Sequence, residues 1–296
     1  GLKARYTMHL LKRSANKDAD MEKVLEYVNN SFESAEEQAA FDVYDANNIN
    51  PLYGFFVARA GLGASESMRS KLAEYNDPRL SRAFITKQGT SGKEQAPGTA
   101  DNAVYAPNGT PEQGTSKYGT SLFMYSISAP TLLLSYHELK FLEAEALCRL
   151  ERDAKSALKD AVVAGLLNAE NSFTISRKEL GKTLINAASS ITEAEAESYF
   201  DNTIEAKYTA EPLKTTMTQK YFALWGASGE ATESYNDVRR MKGLGENFIE
   251  LKNPNSFPLR CPYGNSDTTT NAEVKAAYGN GQYVYSENVW WAGGSR

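Results

Sequence analysis

The chain has 296 residues, of which 41% are hydrophobic and 23% charged, so it is long enough for one large domain or two ordinary ones and is globular by composition. Its formal net charge of −5 argues against nucleic acid or an anionic membrane surface as the main partner. No run of residues approaches the roughly 20 apolar positions of a membrane-spanning helix.

The N-terminal residues have the spacing of two short helices joined by a polar turn. Apolar side chains recur every three or four positions, at Ala4, Met8, Leu11 and Ala15 and then at Met21, Leu25, Val28 and Phe32. Asp18 or Asp20 is expected to cap the second helix. The pair predicts an αα-hairpin of the tetratricopeptide type that must pack on other helices, although a simple helical bundle has the same pattern.

The following stretch is less regular. Residues 50–56 are expected to form an extended, buried connector, and residues 65–75 a helix that ends in Asn-Asp-Pro-Arg-Leu at 76–80. The proline biases the residue before it away from the helical conformation, and the short polar side chains can cap a turn. This string therefore predicts a helix exit.

Residues 87–118 are dense in Gly, Ser, Thr, Pro and Asn, and are predicted to be a loop insertion. If ordered, the loop is expected to hold Asp101, Asn102, Tyr105 and Tyr118 on a solvent-facing surface, where rings and polar side chains could contact a glycan. Long loops in compact proteins are usually functional or disordered. Ligand contact by these four residues, a plain surface loop and partial disorder remain alternatives.

Residues 130–243 are predicted to form the helical core. Pro130 opens the longest helical pattern, which runs to about Leu150, and a second pattern covers about residues 153–167. Together they predict another αα-hairpin like the first. A capping box in the string Thr-Glu-Ala-Glu at 192–195 predicts a further helix, which is followed by one that starts at Pro212.

The last two helices of this core are expected to meet at a glycine-broken elbow. The first is apolar on nearly all sides because of Tyr221, Phe222, Leu224 and Trp225. We therefore predict that Trp225 lies in the core. Gly226 and Gly229 should end this helix, and the second should open at Glu230 and end just before Gly243.

Acidic side chains on these helices could supply the paired carboxylates of a glycosidase. Six are candidates: Glu138, Glu143, Glu145, Glu230, Glu233 and Asp237. Because bases lie close by in the sequence, we interpret the six as solvated helix faces and ion pairs. We predict that Glu145 or Asp237 pairs with Arg239 or Arg240 and so locks the elbow onto the helix that begins near Pro130.

Residues 244–296 are predicted to be an irregular, largely non-helical C-terminal segment. Residues 257–263 contain two prolines, 265–270 are expected to be turn-like, and 283–285 to form a short strand. Trp290 and Trp291 are interpreted as a packed tail, with a sugar platform as the alternative. A disulfide between the two cysteines, Cys148 and Cys261, is not predicted by their positions.

Few signals of catalysis are present in the sequence. The two histidines, His9 and His137, lie on helices beside apolar residues, and no nucleophile elbow, P-loop, dinucleotide fingerprint or zinc-type cysteine spacing occurs. We expect no enzymatic activity, no cofactor and no metal site.

Several strings occur in an order that resembles the SusD/RagB family of outer-membrane glycan-binding lipoproteins. The main one is Gln-Lys-Tyr-x-Ala-Leu at 219–224, then Glu-Ala at 230–231 and Asn-Asp-x-Arg-Arg at 236–240. Others are Asn-Asp-Pro-Arg-Leu at 76–80, the Ala-Glu-Ala helix around Glu145, Pro-Leu-Arg-x-Pro-Tyr at 258–263 and the Trp pair. No one string is specific, but their shared order is.

The resemblance implies a mainly α-helical protein with tetratricopeptide-like hairpins and long irregular loops. It implies one SusD-like domain over residues 1–296, as the C-terminal portion of a longer protein. The implied function is binding of polysaccharide or oligosaccharide at the extracellular face of the outer membrane of a Bacteroidetes cell, and delivery to a TonB-dependent (SusC-like) transporter. A lipid anchor on an earlier cysteine is expected by analogy only, and glycan contacts in this family vary too much to transfer.

Two other functions remain open. One is a helical-repeat adaptor that binds a protein, in which the loop is a mere insertion. The other is a glycoside hydrolase whose acid pair the sequence does not identify.

Overall fold

The computed structural model describes residues 1–59, 62–88, 93–95, 104–110, 114, 117–180, 184–185, 189–226, 229–253 and 256–295. The fold is mainly α-helical, as predicted. The helices are α1 Leu2–His9, α2 Lys17–Asn29, α3 Pro51–Arg59, α4 Glu66–Glu74, α5 Arg79–Arg82, α6 Tyr136–Arg149, α7 Lys155–Leu180, α8 Glu193–Tyr199, α9 Glu205–Ala210, α10 Pro212–Ala223, α11 Ala231–Leu244, α12 Asn265–Thr270 and α13 Ala272–Tyr278.

Short strands form two small sheets beside the helices. Antiparallel pairing joins β1 (Ala39–Phe41) to β5 (Thr131–Leu134). The second sheet has the order β4-β2-β3-β6, and only its β3–β6 pair is parallel among the described strands. Its members are β2 Phe84–Gln88, β3 Lys93–Gln95, β4 Thr120–Ser121 and β6 Leu184–Ile185.

Helices α1 and α2 form the first predicted hairpin and pack against α6. Their shared apolar cluster consists of Ala4, Met8, Leu11, Met21, Val24, Val28, Leu139, Leu142 and Ala146. Two details differ from the prediction. Ala15 is exposed because the chain leaves the α-helix after His9 and ends in a 3₁₀ turn at Arg13, and the cap of α2 is Asn16, whose side chain accepts from the backbone of Ala19.

Helices α6, α7 and α10 build the main core, which includes Phe141, Leu166, Phe173 and Phe222. Gly165 allows α7 and α10 to approach closely, because a Cβ at this position would lie 3.0 Å from the Cβ of Ala223. The longest described helix is α7, with 26 residues, and not the one after Pro130. That segment first forms strand β5, and α6 starts only after its cap, Ser135.

Four further predictions of local structure are wrong. Residues 51–59 form helix α3 instead of an extended connector, and 265–270 form the short helix α12. Residues 284–286 form a turn where a strand was expected. Helix α11 continues through Gly243 and ends at Gly245, which has φ of 83° and is the left-handed residue that closes it.

The elbow between α10 and α11 is built as predicted, with positive φ at both Gly226 and Gly229. A Cβ on Gly226 would lie 2.3 Å from the ring of Phe123, so close packing also requires glycine here. Trp225 is half-buried against the core, with its ring 5.2 Å from that of Phe84 and 5.1 Å from that of Phe123.

The C-terminal tail returns to the first helix. Trp291 stacks on His9 with 5.9 Å between ring centroids, and the Arg239 guanidinium lies 4.8 Å from the Trp291 ring and 4.2 Å from the Tyr235 ring. Trp291 is therefore packed, whereas Trp290 is 53% exposed, so a sugar-platform role for Trp290 stays a prediction. Cys148 and Cys261 are both free.

Candidate functional site

The predicted ion pair between the elbow and α6 is present. Arg240 Nη2 donates to Glu145 Oε2 and to Asp237 Oδ1, each at 2.8 Å, and all three side chains are buried. Burial alone would raise the pKa of Glu145, but the charges of Arg240 and Arg149 hold it below its usual value. Arg239 takes no part, because it stacks in the tail instead.

Most of the six acidic candidates are not on solvated helix faces, which corrects that interpretation. Glu138, Glu145, Glu230 and Asp237 are buried, and only Glu143 and Glu233 are partly exposed. Ion pairing, the other role predicted for these acids, describes them better than solvent exposure does. Lys220 Nζ, also buried, lies 2.8 Å from Asp237 Oδ2.

Glu138 and Glu230 form a close acid couple around one arginine. Arg5 Nε donates to Glu138 Oε1 at 2.8 Å, and Arg5 Nη2 reaches Glu230 Oε1 at 3.2 Å. Burial, followed by the negative charge of Glu138, raises the pKa of Glu230 to about 9, so one proton stays in the pair at neutral pH. Glu138 is 0% and Glu230 1% exposed, and a sugar could not enter between them. The couple therefore lacks the open geometry of a glycosidase site.

A groove of about 850 Å³ lies where four separate stretches of chain meet. Helices α4 and α10 form its floor, residues 107–110 form one wall and residues 247–252 the other. We call it the α4–α10 groove. The 107–110 wall is tied to the start of α4, because Glu66 N donates to Ala106 O at 3.0 Å and Ser65 Oγ donates to Asn108 Oδ1 at 2.8 Å.

The lining of the groove combines apolar surface, neutral hydrogen-bonding groups and charged side chains. Apolar surface comes from Tyr75, Phe248 and Ile249, and the Tyr75 ring packs edge-on at 5.3 Å against Phe222, which is itself buried. Hydroxyl and amide groups come from Ser67, Ser70, Asn108, Thr110, Thr218 and Asn247. Burial raises the pKa of Tyr75, so its hydroxyl keeps its proton. Such a mixture suits a polyol with apolar ring faces.

Neither of the two described residues predicted for glycan contact, Tyr105 and Tyr118, lines this groove. Tyr105 and Tyr118 are only 8% and 7% exposed, so the expected solvent-facing surface is wrong for both. Tyr105 packs against Phe84 at 5.4 Å and beneath Arg69 at 4.9 Å, which removes it from solvent. Asp101 and Asn102 lie outside the described residues.

The same loop nevertheless contributes Asn108 and Thr110 to the groove, which the sequence reasoning missed. The contribution of α4 was also missed. Ser67, Ser70, Lys71 and Glu74 all line the groove, and their spacing of three or four residues places them on one helix face. That polar stripe was the available signal.

A second cavity, of about 470 Å³, lies along the outer face of α7. Val163, Ala164 and Leu167 form its floor, and Gln38 and Tyr136 stand at one side. In the described parts of the chain, no cluster of three or more His, Cys, Asp or Glu side chains is placed to hold a metal ion.

The sequence of this chain matches a known protein family. A family described as "Starch-binding associating with outer membrane" matches residues 1–263. The chain belongs to this SusD-like family. The resemblance predicted from the ordered strings is thus confirmed, and the family's description supports glycan binding and association with the outer membrane.

Solved structures of SusD-like proteins superpose on the chain. A SusD/RagB family protein from Bacteroides thetaiotaomicron is 66% identical with a TM-score of 0.95, and the match covers 100% of this chain and 63% of that one. A SusD homolog from Bacteroides fragilis is 19% identical with a TM-score of 0.69, covering 98% of this chain and 66% of that one. Another SusD homolog, from Bacteroides vulgatus, is 23% identical with a TM-score of 0.58, and the match covers 99% of this chain and 61% of that one.

This SusD-like chain therefore spans 63% of the length of the relative with which it shares 66% identity. No curated protein sequence matches it. Among the helices that the structure describes, none is long and apolar enough to cross a bilayer.

Proposed function

We propose that this protein binds polysaccharide or oligosaccharide without cleaving it, and that the α4–α10 groove is where it does so. The observation that carries the proposal is the groove itself, which combines the Tyr75 and Phe248 rings with hydroxyl and amide side chains in a member of a family described as starch-binding. A role for Tyr105, Tyr118, Asp101 and Asn102 in glycan contact remains a separate proposal, which the burial of the two tyrosines weakens.

Binding at such a groove should be weak for a single sugar unit. An open site of this kind gives on the order of −4 kcal/mol, which corresponds to millimolar affinity. Repeated units along one polysaccharide would raise retention, because a released unit is replaced by its neighbour at high effective concentration.

We further propose that the bound glycan is delivered to a TonB-dependent, SusC-like transporter, and that a lipid holds the protein on the extracellular face of the outer membrane. The description of the family as associating with the outer membrane supports this location. A tethered transporter would meet the glycan at a high local concentration, which suits weak capture.

A binding panel tests the main proposal. We expect the purified chain to bind at least one polysaccharide from a set that includes starch, xylan, pectin and alginate in affinity electrophoresis, and to release no reducing sugar from it. If none of these polysaccharides retards the protein, glycan binding is contradicted. Release of reducing sugar would instead establish a hydrolase.

One observation favours the adaptor alternative. Leu2, Tyr6 and Leu10 lie at successive turns of the N-terminal helical segment and are 50%, 56% and 45% exposed, which is typical of a surface that contacts a protein. An adaptor should ignore every glycan of the panel, so the same experiment separates the two functions.

A further inference from the structure

Among the described residues, one cation of the α4–α10 groove, Lys71, forms no ion pair. Lys71 is partly buried on the polar face of α4, and its Nζ donates to Ser67 Oγ at 2.8 Å. In the described part of the chain, no carboxylate oxygen lies within the 4.0 Å of an ion pair from this nitrogen. Burial lowers the pKa of Lys71, which means that folding removes the ammonium from water without full compensation.

The other two lysines of the groove differ from Lys71. Lys214 Nζ lies 2.8 Å from Glu211 Oε2, and Lys252 is paired with Glu250. Lys252 is exposed and Lys214 is partly exposed, as Lys71 is, and both have their charge balanced within the protein. The groove therefore contains one positive charge that a ligand could neutralise.

The acidic side chains near Lys71 are placed so that they leave this charge open. Glu66 accepts from Ser70 Oγ at 3.1 Å, and Glu250 is paired with Lys252. Glu74 is exposed one turn further along α4, and its charge and that of Glu250 act on Lys71 from beyond ion-pair distance. A ligand anion that reaches Lys71 would thus lie near Glu74, so a glycan with separated charges fits better than a densely charged one.

We propose that the groove selects an anionic glycan, whose carboxylate or sulfate group pairs with Lys71 and accepts a hydrogen bond from Ser67. This inference rests on the proposed function and specifies the substrate class of the same site. The partly exposed Tyr75 and Phe248 rings would then contact the apolar face of a sugar unit next to the charged group.

A matched pair of ligands tests the inference. Polygalacturonate and its methyl ester have the same sugar backbone and differ in charge. We expect the wild-type protein to bind the acid form at least about tenfold more tightly in calorimetric titration, because a charge-assisted hydrogen bond contributes more than a neutral one. Alginate and carrageenan extend the test to another carboxylate glycan and to a sulfate glycan.

Variants test whether the preference for the acid-form glycan depends on Lys71 Nζ. Lys71→Met should abolish the preference for the acid form, and Lys71→Arg should retain most of it. The control Lys23→Met, at a lysine outside the groove whose Nζ lies 2.8 Å from Asp20 Oδ1, should leave the preference unchanged. Raising the salt concentration should weaken binding of the acid-form glycan by the wild type and not by Lys71→Met, because dissolved ions screen the attraction between Lys71 and the ligand anion.

The outcomes separate this inference from the proposed function. If wild-type protein binds neutral glycans as tightly as every anionic one, the inference is overturned while glycan binding stands. The same conclusion follows if Lys71→Met weakens neutral and anionic glycans equally. If no glycan of either kind binds, the proposed function itself is wrong.

Discussion

Arg240 and Glu145 lie 95 residues apart in the sequence and form a buried two-pronged ion pair between α11 and α6. Each is 0% exposed, so neither charge could be hydrated if its partner were lost. The pair holds the elbow on the second hairpin and thus supports the α10 side of the groove.

Removal of one partner should be strongly destabilising. We expect Arg240→Met to lower the free energy of unfolding by about 3–5 kcal/mol, because Glu145 and Asp237 would be left buried beside fewer positive charges. Urea denaturation monitored by circular dichroism measures the loss. Arg239→Met, at the neighbouring half-buried arginine, is the control and should cost clearly less; equal losses would show that the buried pair has no special role.

Glu230 should make the stability of the protein decrease as pH rises. Its native pKa is raised to about 9 from an ordinary value of 4.5, so between these values the native protein binds one more proton than the unfolded chain. The resulting slope is at most about −1.4 kcal/mol per pH unit. Glu230→Gln keeps a neutral side chain at all pH values and should remove this slope.

The comparison is best made from about pH 7.5 upward. Burial lowers the pKa of His137 to about 3 from an ordinary 6.5, so above about pH 7.5 this histidine is almost fully neutral in both states and adds little slope. Glu233 on α11 has a lowered pKa and is ionised in both states there, so Glu233→Gln is the matched control and should leave the slope unchanged. Parallel curves for wild type and Glu230→Gln would contradict the prediction.

Replacing each of two glycines that have positive φ distinguishes the cost of backbone strain from the cost of a side-chain clash. Gly226 has φ of 77° and no room for a Cβ beside Phe123, whereas Gly245 has φ of 83° and nothing within 4 Å of a Cβ. Gly245→Ala should cost about 1–2 kcal/mol from the left-handed backbone alone. Gly226→Ala should cost more stability, so its melting temperature should be lower than that of Gly245→Ala. Equal melting temperatures would mean that the Phe123 ring moves aside freely.

The Tyr75 ring should matter for glycan affinity. We expect Tyr75→Ala to weaken binding of any glycan retained in the panel by about tenfold, because a ring–sugar contact of this kind contributes on the order of 1 kcal/mol or more. Tyr285→Ala, at a tyrosine that is 60% exposed in the C-terminal segment, is the control. Affinity electrophoresis compares the variants, and unchanged retardation of Tyr75→Ala would exclude the groove as the main site.

Features set by neighbouring residues were predictable from the sequence. The capping box of α8 and the start of α10 at Pro212 are where the sequence placed them, because both depend on contacts within one turn. Strand β5 was not predictable in this way. Its Leu132 to Leu134 run fits a helix or a strand equally well, and its partner Ala40 lies far away in the chain.

The site was harder to predict than the fold. Tyr105 has the composition of a surface loop around it, whereas Phe84 and Arg69, from other parts of the chain, pack against it. Lys71 could not be recognised either, because whether a lysine finds a carboxylate partner depends on tertiary contacts. The pairing of Arg240 with Glu145 was one of the predicted alternatives, because acidic and basic side chains occur on both α6 and α11.

The stacking of Trp291 on His9 links the last turn of the chain to the first helix. Loss of this contact should therefore uncover His9, and a protease that removes the residues around Trp291 should next gain access near this histidine. The indole and the imidazole thus couple the exposure of two segments that lie far apart in the sequence.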